Sequence, residues 1–143
     1  MRFWDASAVV PLLVGEDRSD QADLLHAEDR AVVVWWGTRV EVTSALARQQ
    51  RDGAFSAGGL AAATSRLRRL AASWIEVPAT EPVREQALRL LRIHPLRAGD
   101  ALQLAAALVT AEFRAESLEF VTFDARQAEA ARLEGFAVLG RPF

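Results

Sequence analysis

The stretch AVVVW, residues 31–35, is a continuous run of apolar, mostly β-branched side chains. Such a run is typical of a strand that is covered on both faces, as the strands of parallel sheets are. The segments on either side, residues 20–28 and 38–50, carry apolar residues at helical spacing instead. This part of the chain therefore predicts a helix, a buried strand and another helix in succession.

The same alternation continues outward along the whole chain. Further strands are predicted at residues 1–5, 74–77, 118–122 and 136–139. Further helices are predicted at residues 6–15, 57–72, 81–92, 99–113 and 125–134. Because strands that alternate with helices form helix-covered parallel sheets, we expect one domain over residues 1–143. Its fold class is a single α/β/α sandwich with a mainly parallel sheet of four to five strands.

The composition narrows the chemistry available to the protein. Its 17 basic and 19 acidic residues give a net charge of -2, which argues against binding nucleic acid through a basic tail. The sequence has no Cys, and every basic residue is Arg, so thiolate metal sites, Cys nucleophiles and lysine-dependent chemistry are excluded. Any catalysis must rest mainly on carboxylates. The chain start leaves no room for a signal peptide and no apolar stretch approaches a membrane span, so we expect a cytoplasmic protein.

Four carboxylates stand at the positions where a parallel sheet collects ligands. Asp5 ends the first predicted strand and Asp124 follows the fourth, while Glu41 and Asp100 lie in the first turns of helices. Ligands of such folds bind outside the carboxyl ends of the strands. We therefore expect the four side chains to converge at one edge of the sheet.

Helix capping is the competing explanation for these acids. Asp is a preferred N-cap residue, and taken singly each acid is better explained as a cap. Capping-box spacing occurs at Thr38 and Glu41, at Asp100 and Gln103, and at Asp124 and Gln127. Capping does not explain the acid that ends the first strand, however, and does not require the four to meet. Clustered carboxylates repel one another unless a cation lies among them, and oxygen ligands suit Mg²⁺ or Mn²⁺.

Four segments together resemble a PIN-domain ribonuclease, with the closest likeness to VapC-type toxins of toxin-antitoxin pairs. The segments are FWDASA at 3–8, VEVTSAL at 40–46, LRAGDALQLAAA at 96–107 and VTFD at 121–124. The resemblance implies that Asp5, Glu41, Asp100 and Asp124 form a catalytic metal site for Mg²⁺ or Mn²⁺, with Ser7 beside the first Asp. Glu119 lies near Asp124 in sequence and is an alternative to it.

By this resemblance, the protein is a metal-dependent endoribonuclease in which metal-bound water attacks the RNA phosphorus. Its products would carry 5′-phosphate and 3′-hydroxyl ends. The implied partners are a structured RNA such as tRNA or rRNA, a cognate antitoxin protein and a second copy of the chain in a homodimer. Candidate substrate contacts are Ser7, Arg39, Arg97 and Arg126. The alternative is a PIN-like module that binds proteins and has no nuclease activity.

The adjacent pair Trp35 and Trp36 follows the second predicted strand. Because side chains alternate along a strand, one of the two rings must point away from the other. Stacking of that ring on an RNA base remains open, whereas Trp4, inside the first strand, is expected to be buried.

Overall fold

The computed structural model describes residues 1–140. Within that range the strands form one five-stranded sheet in the order β3-β2-β1-β4-β5, with every neighbouring pair parallel. The strands are β1 Arg2–Trp4, β2 Val32–Trp35, β3 Ile75–Val77, β4 Glu119–Val121 and β5 Ala137–Leu139. The helices are α1 Ala6–Val9, α2 Ser19–Glu28, α3 Thr38–Arg51, α4 Ala57–Ala71, α5 Glu81–Ile93, α6 Ala98–Thr110 and α7 Ala125–Leu133, with 3₁₀ turns at Val10–Leu12 and Ala115–Ser117. The predicted α/β class and the parallel sheet are confirmed.

Strand alternation divides the apolar residues between two layers. Phe3, Val33 and Phe120 lie in a buried cluster with side chains of α5, α6 and α7. Trp4 and Val34 lie on the opposite face with side chains of α1 to α4. All four residues of β2 are buried, as the run AVVVW predicts. Burial of this apolar surface on both faces is the main favourable contribution to folding.

The predicted helix at residues 6–15 is wrong in its second half. The α-helix ends at Val9, and a 3₁₀ turn over Val10–Leu12 follows. Pro11 lies inside that turn, and because proline has no backbone N–H it cannot continue the α-helical ladder. In α2, the helical spacing predicts that Ala22, Leu24 and Leu25 point inward, and this prediction is wrong for Leu24. Its side chain is 61% exposed, whereas Ala22 is fully buried.

The strand order reverses at β1, and this reversal determines where a ligand can bind. The chain proceeds from β1 to β2 and β3 on one side of the sheet, and it places β4 and β5 on the other side. Trp4 pairs with Val121, so Asp5 and Thr122 leave neighbouring strands at the same edge. Such switch points are where open α/β sheets bind ligands. Over residues 1–140, no helix combines the length and apolar character needed to cross a membrane.

Candidate active site

Asp5 is the buried centre of the edge where β1 and β4 end, and its side chain is only 4% exposed. Ser7 Oγ donates to Asp5 Oδ1 at 2.6 Å, and Thr122 Oγ1 donates to Asp5 Oδ2 at 2.9 Å. The backbone N–H of Ala8 also donates to Oδ1, at 3.3 Å. Asp5 is therefore the N-cap of α1, and the expectation that capping does not explain this acid is wrong. Neutral donors alone hold the carboxylate in these hydrogen bonds.

Two hydroxyl groups connect Asp5 to the segment after β4. The backbone N–H of Phe123 donates to Ser7 Oγ at 2.9 Å, and that of Asp124 donates to Thr122 Oγ1 at 3.1 Å. Sequence reasoning identified Ser7 but missed Thr122, which is completely buried. The available signal was a hydroxyl residue directly after a strand that ends beside Asp5. These hydrogen bonds connect the carboxyl ends of β1 and β4.

Asp124 caps α7, as its spacing to Gln127 predicts. Its Oδ1 accepts the backbone N–H of Gln127 at 2.9 Å. Glu119, the alternative acid, begins β4 and so lies at the other end of that strand. Its Oε2 accepts a hydrogen bond from Arg2 Nε at 2.7 Å. Only Asp124 of these two acids therefore lies at the edge of Asp5.

Asp100 and Glu41 approach the edge from the starts of α6 and α3. Because α6 begins at Ala98, Asp100 is its third residue and not its cap, contrary to the predicted Asp100–Gln103 box. Asp100 Oδ2 instead accepts the backbone N–H of Arg97 at 3.3 Å. The side chain of Glu41 reaches Gly99, where an added Cβ would lie 3.4 Å from Glu41 Oε1. An added Cβ would thus be in ordinary van der Waals contact with this carboxylate, which shows that the starts of α3 and α6 lie side by side.

The predicted capping box at Thr38 and Glu41 is absent. Gly37 is the N-cap of α3, and no side chain of residues 1–140 caps the start of this helix. Thr38 is fully buried and exchanges hydrogen bonds of 3.0 and 3.2 Å with the side-chain amide of Gln103. A partner 65 residues away has replaced the local one, and Glu41 remains directed at the site.

Two buried glutamines, Gln103 and Gln127, form hydrogen bonds with the acidic residues of the site. Gln103 is 2% exposed and hydrogen-bonds Glu41. Gln127 is fully buried, and its Nε2 donates to the backbone carbonyl of Asp100 at 3.0 Å. Because its backbone N–H also binds Asp124, Gln127 connects the starts of α6 and α7. Its Oε1 receives no hydrogen bond from residues 1–140.

The acids influence one another electrostatically, which identifies them as one cluster. Burial raises the pKa of Asp5 to about 7; hydrogen bonds from Ser7 and Thr122 oppose this shift, and the charge of Asp124 adds to it. The cost of desolvating the charged carboxylate is therefore larger than the benefit of its hydrogen bonds.

Burial, a hydrogen bond and a neighbouring carboxylate also shift the pKa values of Glu41 and Asp100, the acids at the starts of α3 and α6. Burial raises the pKa of Glu41, against a hydrogen bond from Gln103 and with a further contribution from the charge of Asp100. Burial also raises the pKa of Asp100; the backbone N–H of Arg97 opposes this shift, and the charge of Asp124 adds to it. Electrostatic repulsion therefore acts between three successive pairs of carboxylates: Asp5 and Asp124, Asp124 and Asp100, and Asp100 and Glu41.

The donor set fits a hard divalent cation. All four side chains offer carboxylate oxygens, which are the ligands of Mg²⁺ and Mn²⁺. A cation would offset the burial and the neighbouring negative charge that raise the pKa values of Asp5, Glu41 and Asp100. Within residues 1–140, no three His, Asp or Glu side chains are already grouped closely enough to hold a metal ion. The acids are therefore electrostatic neighbours around one edge and do not form a closed ligand set.

An open cleft of about 500 Å³ gives access to this edge. Its polar lining is Ser7, Glu41, Ser44, Arg48, Arg97 and Asp100. Of the arginines predicted as substrate contacts, Arg97 lines the cleft, and Arg126 is near enough for its charge to lower the pKa of Asp100. Arg39 lines a neighbouring pocket instead. Sequence reasoning missed Arg48, although it follows Glu41 by two helical turns and so shares its face of α3.

The chain matches one protein-family model and resembles several solved structures in fold. A model of the PIN domain matches residues 2–133. A chain of a toxin-antitoxin complex from Klebsiella pneumoniae has a TM-score of 0.66 and 18% identity, with 98% of this chain and 97% of that chain covered. FitAcB from Neisseria gonorrhoeae has a TM-score of 0.65 and 19% identity over 98% of this chain and 97% of that chain. A protein from Pyrobaculum aerophilum has a TM-score of 0.65 and 21% identity over 90% of this chain and 83% of that chain. No curated protein matches the sequence.

Proposed function

The chain belongs to the PIN-domain family, and from this premise we propose that it is a metal-dependent endoribonuclease that hydrolyses RNA phosphodiester bonds. We further propose that it acts as the VapC-type toxin of a toxin-antitoxin pair. One observation carries the proposal: four carboxylates from distant parts of the chain lie around the switch point of the sheet as electrostatic neighbours. The pKa values of three of them, Asp5, Glu41 and Asp100, are raised by burial and by the charge of another member.

Asp5 and Asp100 would hold the ion, with Glu41 and Asp124 completing its surroundings. A bound Mg²⁺ or Mn²⁺ supplies charge neutralisation at the phosphate and lowers the pKa of water, so that no histidine base is needed. Ser7 and Thr122 orient the two oxygens of Asp5 through their hydrogen bonds. Gln127 holds Asp100 and Asp124 in their relative positions, because it donates one hydrogen bond to the backbone carbonyl of Asp100 and one to the side chain of Asp124.

Arginines at the cleft would bind the RNA backbone. Arg97 and Arg48 line the cleft beside Glu41 and Asp100, and guanidinium groups bind phosphate oxygens in pairs. Arg126 is electrostatically coupled to Asp100 and would extend this positive surface. Arg39 lines the neighbouring pocket and would contact the RNA outside the cleft. Ser7 lines the cleft beside Asp5, and its hydroxyl would contact the substrate there. Structured RNA with an exposed single-stranded loop, such as tRNA or rRNA, fits an open cleft.

The proposed partners are a cognate antitoxin and a second copy of the chain. The antitoxin follows from likeness to a chain of the Klebsiella pneumoniae complex, and an antitoxin segment would restrain the activity in the cytoplasm until it is removed. Apolar side chains exposed on several elements, including Leu24, Leu88 and Leu133, provide surface for such contacts.

An RNA-cleavage assay tests the enzymatic part of the proposal. Wild-type protein should cleave RNA with added Mg²⁺ or Mn²⁺, and excess EDTA or the variant Asp100→Asn should abolish cleavage. Equal cleavage by wild type and Asp100→Asn would indicate a contaminating nuclease. Absence of cleavage by a folded, metal-loaded wild-type protein would favour the alternative, a PIN-like protein-interaction module.

A further inference from the structure

Trp36 presents an aromatic ring to solvent directly beside the acidic edge. Of the two adjacent tryptophans, Trp35 is buried and Trp36 is 58% exposed. Trp36 is therefore the ring that points outward. The two rings meet edge to face, with centroids 6.4 Å apart and planes at 73°. The backbone N–H of Trp36 donates to the carbonyl of Val77 in β3 at 3.0 Å. An exposed ring on a fixed backbone is the arrangement of a stacking platform.

Gly37 helps to define this platform. A Cβ at position 37 would lie 2.5 Å from Trp35 Nε1, which is closer than van der Waals contact allows. Only glycine therefore lets the chain turn from β2 into α3 while the indole of Trp35 stays buried. The position of Trp36 depends on this turn.

A pocket of about 480 Å³ lies against Trp36, with Arg39, Val40, Thr43 and Glu76 as its other lining residues. Val40 also lines the acidic cleft, so the pocket and the cleft adjoin along α3. A volume of this size suits a ligand of a few hundred daltons. A protein partner would need roughly 800 Å² of surface on each side.

The charged groups of the pocket are placed for a nucleotide. The Arg39 guanidinium has no ion-pair or hydrogen-bond partner among residues 1–140, and so remains free for a phosphate. Glu76 Oε2 accepts a hydrogen bond from Trp74 Nε1 at 3.1 Å, which orients the carboxylate. A carboxylate accepts hydrogen bonds and cannot donate them when it is ionised. It therefore selects a ligand edge that carries N–H donors.

We propose that this pocket binds one nucleobase of the RNA strand whose backbone lies in the acidic cleft, an inference that rests on the proposed function. The base stacks on Trp36, Arg39 binds the adjoining phosphate, and Glu76 accepts from the Watson-Crick edge of the base. Guanine, with neighbouring ring N–H and amino donors, fits this acceptor best, and uracil, whose single N–H lies between two carbonyl oxygens, fits worst. The pocket thereby contributes sequence preference near the cleavage site.

Cleavage of a randomised single-stranded RNA, followed by sequencing of the products, tests this site. Wild-type protein should show one position near the cut that is enriched in guanine and depleted in uracil. Trp36→Ala should lose this enrichment and reduce kcat/KM on a preferred sequence by about 5- to 100-fold, mainly through KM. Trp36→Phe should retain most of the activity, and Glu76→Gln should weaken the preference for guanine over uracil.

The controls separate this inference from the proposed function. Phe113→Ala removes another exposed aromatic ring, 60% exposed just beyond the end of α6 and so at the opposite end of that helix from Asp100, and should cleave as wild type does. If wild-type protein does not cleave RNA, the proposed function fails. If it cleaves, and Trp36→Ala leaves rate and base profile unchanged, the base pocket is refuted. Conversion of a wild-type dimer to a monomer by Trp36→Ala, measured by sedimentation, would show that this face binds a second copy and would likewise overturn the inference.

Discussion

Thr122 Oγ1 donates a hydrogen bond of 2.9 Å to Asp5 Oδ2 across a separation of 117 residues. This bond joins the carboxyl ends of β4 and β1, and Ser7 binds the other oxygen of the same carboxylate. The central acid of the site is thus fixed by hydroxyl groups from both strands. Because neither hydroxyl carries charge, the carboxylate remains costly to ionise in its buried position.

The first prediction concerns the stability of the metal-free protein. The folded-state pKa of Asp5 is raised to about 7 from 3.8, so ionisation in wild type destabilises the fold progressively from about pH 4 to pH 7. Asp5→Asn cannot ionise and should raise the free energy of unfolding at pH 8 by about 2–4 kcal/mol. Urea denaturation with EDTA should show this gain levelling off above pH 7 and disappearing near pH 4. A gain that is independent of pH would contradict the assigned burial effect.

Thr122→Val should damage both the fold and the site. It removes the hydrogen bond to Asp5 and leaves the backbone N–H of Asp124 without its acceptor. We expect a loss of about 1–3 kcal/mol in stability and a loss of about 10- to 100-fold in metal affinity or cleavage rate. Thr110→Val is the matched control, because among residues 1–140 the Thr110 hydroxyl binds only the Ala106 carbonyl within α6. Equal metal affinity in Thr122→Val and Thr110→Val would show that Thr122 does not position Asp5 for metal binding.

Gln127→Leu should separate function from stability. Leucine retains the buried volume and removes Gln127 Oε1, which has no hydrogen-bond donor within residues 1–140, so stability should change by no more than about 1 kcal/mol. The bond from Nε2 to the Asp100 carbonyl is lost, and cleavage should fall by about 10- to 100-fold. Thermal unfolding and initial cleavage rates measure the two effects. Unchanged cleavage would show that Gln127 has only a packing role.

Glu134→Gln should change the acid stability of the domain at a distance from the site. Burial raises the pKa of Glu134, but hydrogen bonds from Arg89 and His94 outweigh it, so the net shift is downward. The ionised carboxylate therefore stabilises the fold above the unfolded-state pKa, and this contribution is lost as pH falls through the lower folded-state pKa. At pH 7 the variant should be less stable by about 1–3 kcal/mol. Urea denaturation should show the difference shrinking below about pH 4; a constant difference would contradict the assignment.

The sequence predicts those features that depend on local pattern. The run at residues 31–35 indicates a buried parallel strand, and β2 has that character. The positions of Asp5 and Asp124 after predicted strands indicate a shared edge, because parallel strands end together. Both predictions require only strand direction and alternation.

Features that depend on distant partners could not be predicted. The capping box at Thr38 fails because Gln103, 65 residues away, offers the Thr38 hydroxyl a buried partner. The roles of Thr122 and Gln127 likewise exist only through contacts with Asp5 and with the Asp100 carbonyl. Local spacing carries no information about such contacts, so these residues were absent from the predicted site.

Metal binding is the property on which the proposed function depends most directly. Titration of the wild-type protein with Mn²⁺ in a calorimeter should give saturable binding, and Asp5→Asn and Asp100→Asn should abolish it. Glu119→Gln is the matched control, because Glu119 lies at the opposite end of β4 in an ion pair with Arg2, and it should bind as wild type does. Absence of binding by wild-type protein, or equal binding by wild type and Asp5→Asn, would contradict the assignment of this edge as the metal site.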